Sequence, residues 1–354
     1  MAHKVRHKIT ATAKQAHQGF VHSLTSLFTI TPIPRPLSLI GLCSFCMVLP
    51  LMVGLLSGHP DIGLTACIGA LLGLYSPSFT PGYRAVALLK MIVPFGASFT
   101  LGLATQQHLP ASAFFLGLVA VIAVYLALYK KMRPPAGFFF IMVCCLSKTH
   151  PVTMADIPAI AGAFFAGSLM VTIAVFLHDL ILIRNKPDID AVPPEPFWQT
   201  AAFVKALVVG VTVGASYYLA SLGGIDNPYW VPITVAAILQ GQRMTDFWQR
   251  SVHRAIGTAL GMVLAASIFT FSPSPLVLII LLFALAFTIE MLITKNYALA
   301  CVFITPLTVI LAHTAPIGYS AHTLIIARMT DVLIGVGFAL AAGVLLKLLP
   351  VENR

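Results

Sequence analysis

Apolar residues run through this chain in long continuous stretches, and no other feature limits its fold as strongly. Twelve runs can be marked: 37–57, 62–76, 86–106, 111–129, 136–147 and 157–183, then 200–221, 229–240, 255–271, 275–293, 297–313 and 323–349. Crossing the hydrocarbon core of a bilayer takes about 20 apolar residues as a helix, or about 10 as a tilted strand. The runs lack the in-out alternation of barrel strands. They therefore predict helices, which satisfy their own backbone polar groups in lipid. Composition agrees, with 58% of the 354 residues hydrophobic and only 9% charged, against roughly 25% charged in soluble domains. The predicted fold class is an all-α polytopic membrane protein with about twelve transmembrane helices.

The formal net charge of +10 raises the question of nucleic acid. The placement of the charges answers it. With a cytoplasmic amino terminus and twelve crossings, nineteen Lys and Arg side chains fall inside and only Lys148 and Arg328 fall outside. This bias follows the positive-inside rule and predicts both termini in the cytoplasm, in a multi-pass protein of the cell inner membrane. Charges spread over many short loops form no basic patch, so nucleic acid is not an expected partner. Membrane lipids are.

Four segments are expected. Residues 1–35 are basic, contain no Asp or Glu, and repeat apolar residues at helical spacing. They predict an amphipathic surface helix, with a solvated basic tail or an organelle transit peptide as the other readings. No short apolar core with a small-residue cleavage site marks a secretory signal. Residues 36–184 form a first six-helix unit, 185–199 a short polar, Pro-rich cytoplasmic linker, and 200–350 a second six-helix unit. Weak matches recur at an offset of about 161 residues, with Gly96 opposite Gly257. Six crossings per copy keep both copies in one orientation, so the repeats are expected to be parallel. The second and fifth runs of each copy are short. Such interrupted segments at matching places point to a substrate path, and otherwise to tilted marginal helices.

No catalytic or nucleotide-binding motif appears, so no enzyme activity and no cofactor are expected. The six cysteines lie inside apolar runs and are read as packing residues, with no metal site. Gly257 and Gly261, Gly69 and Gly73, and Gly335 and Gly337 suit close helix packing. Arg250 and Arg254 are four apart and share a helix face at the inner end of a run. They read either as snorkelling side chains at lipid phosphate or as the mouth of an anion path. Arg328 and Asp331, three apart toward the outside, predict an ion pair on one face of the last span. That pair either packs helices or contacts an anion, with Asp331 as a proton carrier. Among weaker candidates, Glu290 and Lys295 are expected to pair, His178 and Asp179 to lie at the interface, and His313 and His322 in an outer loop. Trp198, Trp230 and Trp248 are expected in the aromatic belts, and Phe138–Phe140 either line a pocket or pack.

Tyr229-Trp230-Val-Pro-Ile-Thr234, Gln240, and Arg250-x-x-x-Arg254-x-x-Gly257-Thr258-x-x-Gly261 together resemble the fusaric acid resistance and aromatic acid exporter family. Asn296-Tyr297-Ala298 with Thr305-Pro306, and Arg328-x-x-Asp331-x-x-x-Gly335, extend the resemblance over about 200–349. A more distant likeness is to the plant aluminium-activated malate transporters, which are anion channels. The resemblance implies an organic-anion path lined by Arg254 and Arg328. Arg250, Gln240, Trp230, Asn296 and Thr305 are expected as further substrate contacts, and Asp331 as the proton-coupling group. In the first copy Lys90 and Pro94 stand near the places of Arg250 and Arg254, so a symmetric second site is not expected.

The expected function is export of aromatic or other organic acid anions, coupled to protons. A passive organic-anion channel and a non-transporting membrane scaffold are the alternatives. The expected partners are organic acid anions and protons, with a periplasmic adaptor or a second copy of the chain compatible with the pattern.

Overall fold

A computed structural model describes residues 36–149, 153–182, 199–313 and 321–349. The expected surface helix in 1–35, the linker up to Trp198, and the side chains of His313 and His322 lie outside the described residues. The described residues form twelve α-helices and no strand. In chain order these are α1 (Leu37–Ser57), α2 (Pro60–Ala70), α3 (Arg84–Thr105), α4 (Leu109–Tyr129), α5 (Phe138–Leu146) and α6 (Ile157–Leu182). Then come α7 (Thr200–Leu222), α8 (Trp230–Leu239), α9 (Met244–Thr270), α10 (Pro275–Leu292), α11 (Tyr297–His313) and α12 (Ala321–Leu348). A 3-10 helix, Leu71–Ser78, continues α2.

Local chemistry sets the joins. Proline opens α2, α4 and α10 within their first two residues, where its missing N–H has no helical partner to lose. Gly58 closes α1 at φ 78 with its neighbour His59 donating back to Gly54, a left-handed cap that glycine adopts without strain. At the start of α9, Asp246 accepts the backbone N–H groups of Gln242 and Arg243 at 3.0 and 2.9 Å. The helix therefore begins at Met244, well before the apolar run that starts at 255. Arg250 and Arg254 are thus inside the helix rather than at its entrance, with Arg254 about 15 Å along it.

Eight helices are long and apolar enough to cross a membrane: α1, α3, α4, α6, α7, α9, α10 and α12. Their outward faces carry large aliphatic side chains, among them Leu56, Val93, Ile181, Val263 and Leu276. Lipid is the solvent that accepts such a surface. The chain is a multi-pass membrane protein. The remaining four helices are those expected to be short: α2, α5, α8 and α11, of 11, 9, 10 and 17 residues. At about 1.5 Å per residue α8 extends about 15 Å, half the thickness of a bilayer core. It does not face lipid: all ten of its residues are buried, as befits a helix that is apolar on every side.

The helix pairs of the two halves correspond. α2 packs on α1 and α6, and α8 packs on α7 and α12; α3 packs on α5 and α6, and α9 on α11 and α12. The halves meet through α4 on α7, α10 on α1 and α5 on α8. The first half is tied by a buried ion pair that the sequence did not suggest. Arg84 on α3 donates to Asp179 on α6 at 3.0 Å, and Asp179 also accepts the Gly82 N–H at 3.0 Å. Asp179, near the end of α6, is 8% exposed and neutralised by a partner 95 residues away.

Glycines decide how closely the second half packs. A Cβ on Gly257 would lie 2.5 Å from Cys301 Cβ and 2.6 Å from the Ala298 carbonyl, so α9 and α11 touch there. A Cβ on Gly335 would lie 2.6 Å from Thr234 Cβ, where α12 meets α8. Gly337, expected to act alike, faces nothing within 4 Å. Gly257→Ala is expected to lower stability by about 1–3 kcal/mol through overpacking. Gly337→Ala is expected to raise it by roughly 0.8–1 kcal/mol through helix propensity. Unfolding of the two variants in detergent checks this; shifts of the same sign contradict the packing.

Candidate functional site

A cavity of about 270 Å³ lies between the two halves. All four short helices contribute to its wall. The first half supplies Leu64, Cys67, Ile68 and Leu71 from α2 and its 3-10 extension, and Phe138, Phe139, Met142 and Leu146 from α5. The second half supplies Trp230, Ile233 and Ala237 from one face of α8, Gln240 just beyond it, and Tyr297, Ile304, Thr308 and Leu311 from α11. The charged side chains on the wall are Arg250, Arg254 and Glu290, all from the second half. The first-half wall is apolar and aromatic. The cavity is thus amphipathic across its width.

The two arginines on α9 are held differently. Arg250 donates from Nη1 to the Ala237 carbonyl at 3.1 Å and lies over the Tyr297 ring, with its Cζ 5.1 Å from the centroid. Both contacts fix a guanidinium at the end of α8, where a carbonyl and a π-face favour positive charge. Arg254 is 4% exposed, and its Nε has no hydrogen-bond partner. A buried guanidinium with an orphaned N–H is costly unless an anion or water completes it.

The other sequence-derived candidates divide. Trp230 and Gln240 line the cavity; Arg328, Asp331, Asn296 and Thr305 do not. Asn296 accepts the Leu299 N–H at 2.9 Å and so caps α11. Thr305 donates to the Cys301 carbonyl at 3.1 Å and packs on Gly261. The expected ion pair between Arg328 and Asp331 is not formed. Arg328 stacks instead on Trp230, Cζ 3.8 Å from the ring centroid. Its Nε and Nη1, and both carboxylate oxygens of Asp331, lack hydrogen-bond partners. Trp230 is therefore a buried stacking partner, 8% exposed, rather than a belt residue at the lipid interface. Glu290 lies on the cavity wall, while Lys295 does not line it. Glu290 and Tyr297 were the site residues that sequence reasoning undervalued. A lone acid inside an apolar run was the available signal for the first.

These features define a polytopic helical membrane protein with an internal amphipathic cavity. Residues 211–342 match the model of the fusaric acid resistance protein-like family, which bears out the resemblance over that segment. All eight candidate residues lie inside it. The uncharacterized membrane protein YvaC of Bacillus subtilis (strain 168) is 33% identical over 138 residues, covering 39% of this chain and 22% of the relative. The chain thus spans about a fifth of the length of the curated relative it matches. No solved structure matches.

The cap reading of Asn296 separates it from the cavity. Asn296→Ala is expected to cost about 1 kcal/mol of stability, and Asn296→Ser to restore most of it. Unfolding of the two variants in detergent checks this; an Asn296→Ala variant as stable as the wild type contradicts the cap.

Proposed function

We propose that this chain exports organic acid anions, aromatic ones foremost, from the cytoplasm across the inner membrane, coupled to protons. The observation that carries this reading is the cavity itself, with two guanidiniums at one side and an apolar, aromatic wall opposite. An aromatic carboxylate matches both sides at once. Its charge replaces the missing partner of Arg254, and its ring meets Phe138, Phe139 and Leu71. A carboxylate is ionised at neutral pH and enters a low-dielectric interior only where positive charge awaits it.

The corresponding helix packing of the two halves supports a duplication with parallel repeats and twelve membrane segments, four of them short. The distribution of Lys and Arg supports cytoplasmic termini. In this reading Arg250 and Arg254 receive the anion, Arg328 lies further along its way, and Asp331 carries the proton.

A second reading, a passive anion channel, is favoured by one observation. Asp331 neither lines the cavity nor pairs with Arg328, so nothing ties its charge directly to an anion in the cavity. An inside-negative potential already drives a monovalent anion outward, by about 2.3 kcal/mol per 100 mV.

Labelled benzoate in liposomes tests both readings. Arg254→Gln is expected to weaken apparent affinity by about 10–100-fold, the value of one charged hydrogen-bonding partner. Accumulation that collapses with a protonophore supports coupling, while flux that follows voltage alone supports the channel. Undiminished transport by folded Arg254→Gln protein overturns the site and leaves the scaffold alternative.

A further inference from the structure

Arg328 and Asp331 lie on α12 and do not line the cavity. Trp230 lines the cavity and stacks on the Arg328 guanidinium at 3.8 Å. Arg328 is 4% exposed and Asp331 0%, yet two nitrogens of the first and both oxygens of the second have no hydrogen-bond partner. Four orphaned polar atoms in one buried spot are rare in folded proteins, and they mark a place completed by a ligand or by another conformation. The other charges acting there are Arg254 from α9, on Arg328, and Asp226 from the loop before α8, on Asp331. Neither Arg254 nor Arg328 has a carboxylate in an ion pair.

The packing around the pair differs along α12. One turn deeper, Gly335 presses on Thr234 and Val231, which locks α12 against α8. One turn shallower, Leu324, four residues before Arg328 on the same face of α12, lines the same cavity. Trp230 thus touches both the cavity and the Arg328 guanidinium.

We propose that Arg328 and Asp331 form an outer anion subsite, closed from the cavity by Trp230, and that an anion reaches Arg328 by displacing the indole ring. The ligand is a small monovalent anion, either the carboxylate of the substrate or an inorganic halide. This rests on reading the cavity as the anion path. The cation–π stack then serves as a substitute counter-charge while the subsite is empty. An aromatic acid can replace both the ring and the charge, whereas chloride replaces only the charge.

Chloride efflux from liposomes holding the full chain, under a potassium–valinomycin voltage clamp, tests the gate. Wild type and Trp230→Phe, which keeps a ring over the guanidinium, are expected to leak slowly. Trp230→Ala is expected to leak about tenfold faster or more, as removal of an apolar constriction does. Adding Arg328→Gln is expected to return the rate to that of the wild type. Monodisperse Trp230→Ala protein with wild-type efflux overturns the proposal, as does a faster leak that survives Arg328→Gln. If alanine does not give monodisperse protein, Trp230→Leu is read by the same two outcomes. Benzoate uptake by the wild type in the same vesicles separates the two claims. Its absence beside the expected chloride result removes the substrate reading and leaves the gate. Its presence beside a failed chloride result removes the gate alone.

Discussion

Positive charge without a carboxylate partner, buried in an apolar protein, is the constraint around which the second half is organised. Arg254 and Arg328 are each 4% exposed, and in such surroundings an isolated charge is among the most costly groups to bury. The protein meets the cost by indirect means. Aromatic faces lie under Arg250 and Arg328, and a carbonyl at the end of α8 accepts from Arg250. None of these cancels the charge. In the proposed function the remaining deficit is what an anion entering the cavity would remove, so the burial that weakens the empty state would strengthen the occupied one.

The half-length helices make this arrangement possible. A full span presents one face to lipid and must stay apolar there. α8 is covered on all sides by α7, α12, α5 and α9. Its ends therefore fall inside the protein, where Gln240 and the Ala237 carbonyl can meet an arginine without meeting lipid. The two halves then divide the labour. The first contributes an apolar wall through α2 and α5, and the second contributes every charge on the cavity surface. The segment that matches the family, 211–342, coincides with the charged side.

Much of this was legible in the sequence because it is local. Run lengths revealed the helices and singled out the four short ones, and the four-residue spacing of Arg250 and Arg254 placed both on one face. Partners were not legible, because periodicity reports which face a residue occupies and not what lies across from it. Arg328 and Asp331 at i and i+3 suggested an ion pair, but the guanidinium turns to a ring about a hundred positions earlier in the chain. The partner of Asp179, Arg84, was not legible because it lies in another helix. Gly337 looked like Gly335, yet only one of them faces a neighbouring helix. Asn296 fitted a substrate motif and also caps a helix, a role that the following helix start, Tyr297, could have indicated.

The most direct measurement is an experimental structure with 4-iodobenzoate bound, in which the heavy halogen reports orientation. The account predicts the carboxylate against Arg254 and Arg250 and the iodine against Phe138, Phe139 and Leu71. A carboxylate placed away from Arg254, or a ligand found only on the lipid-facing surface, contradicts it.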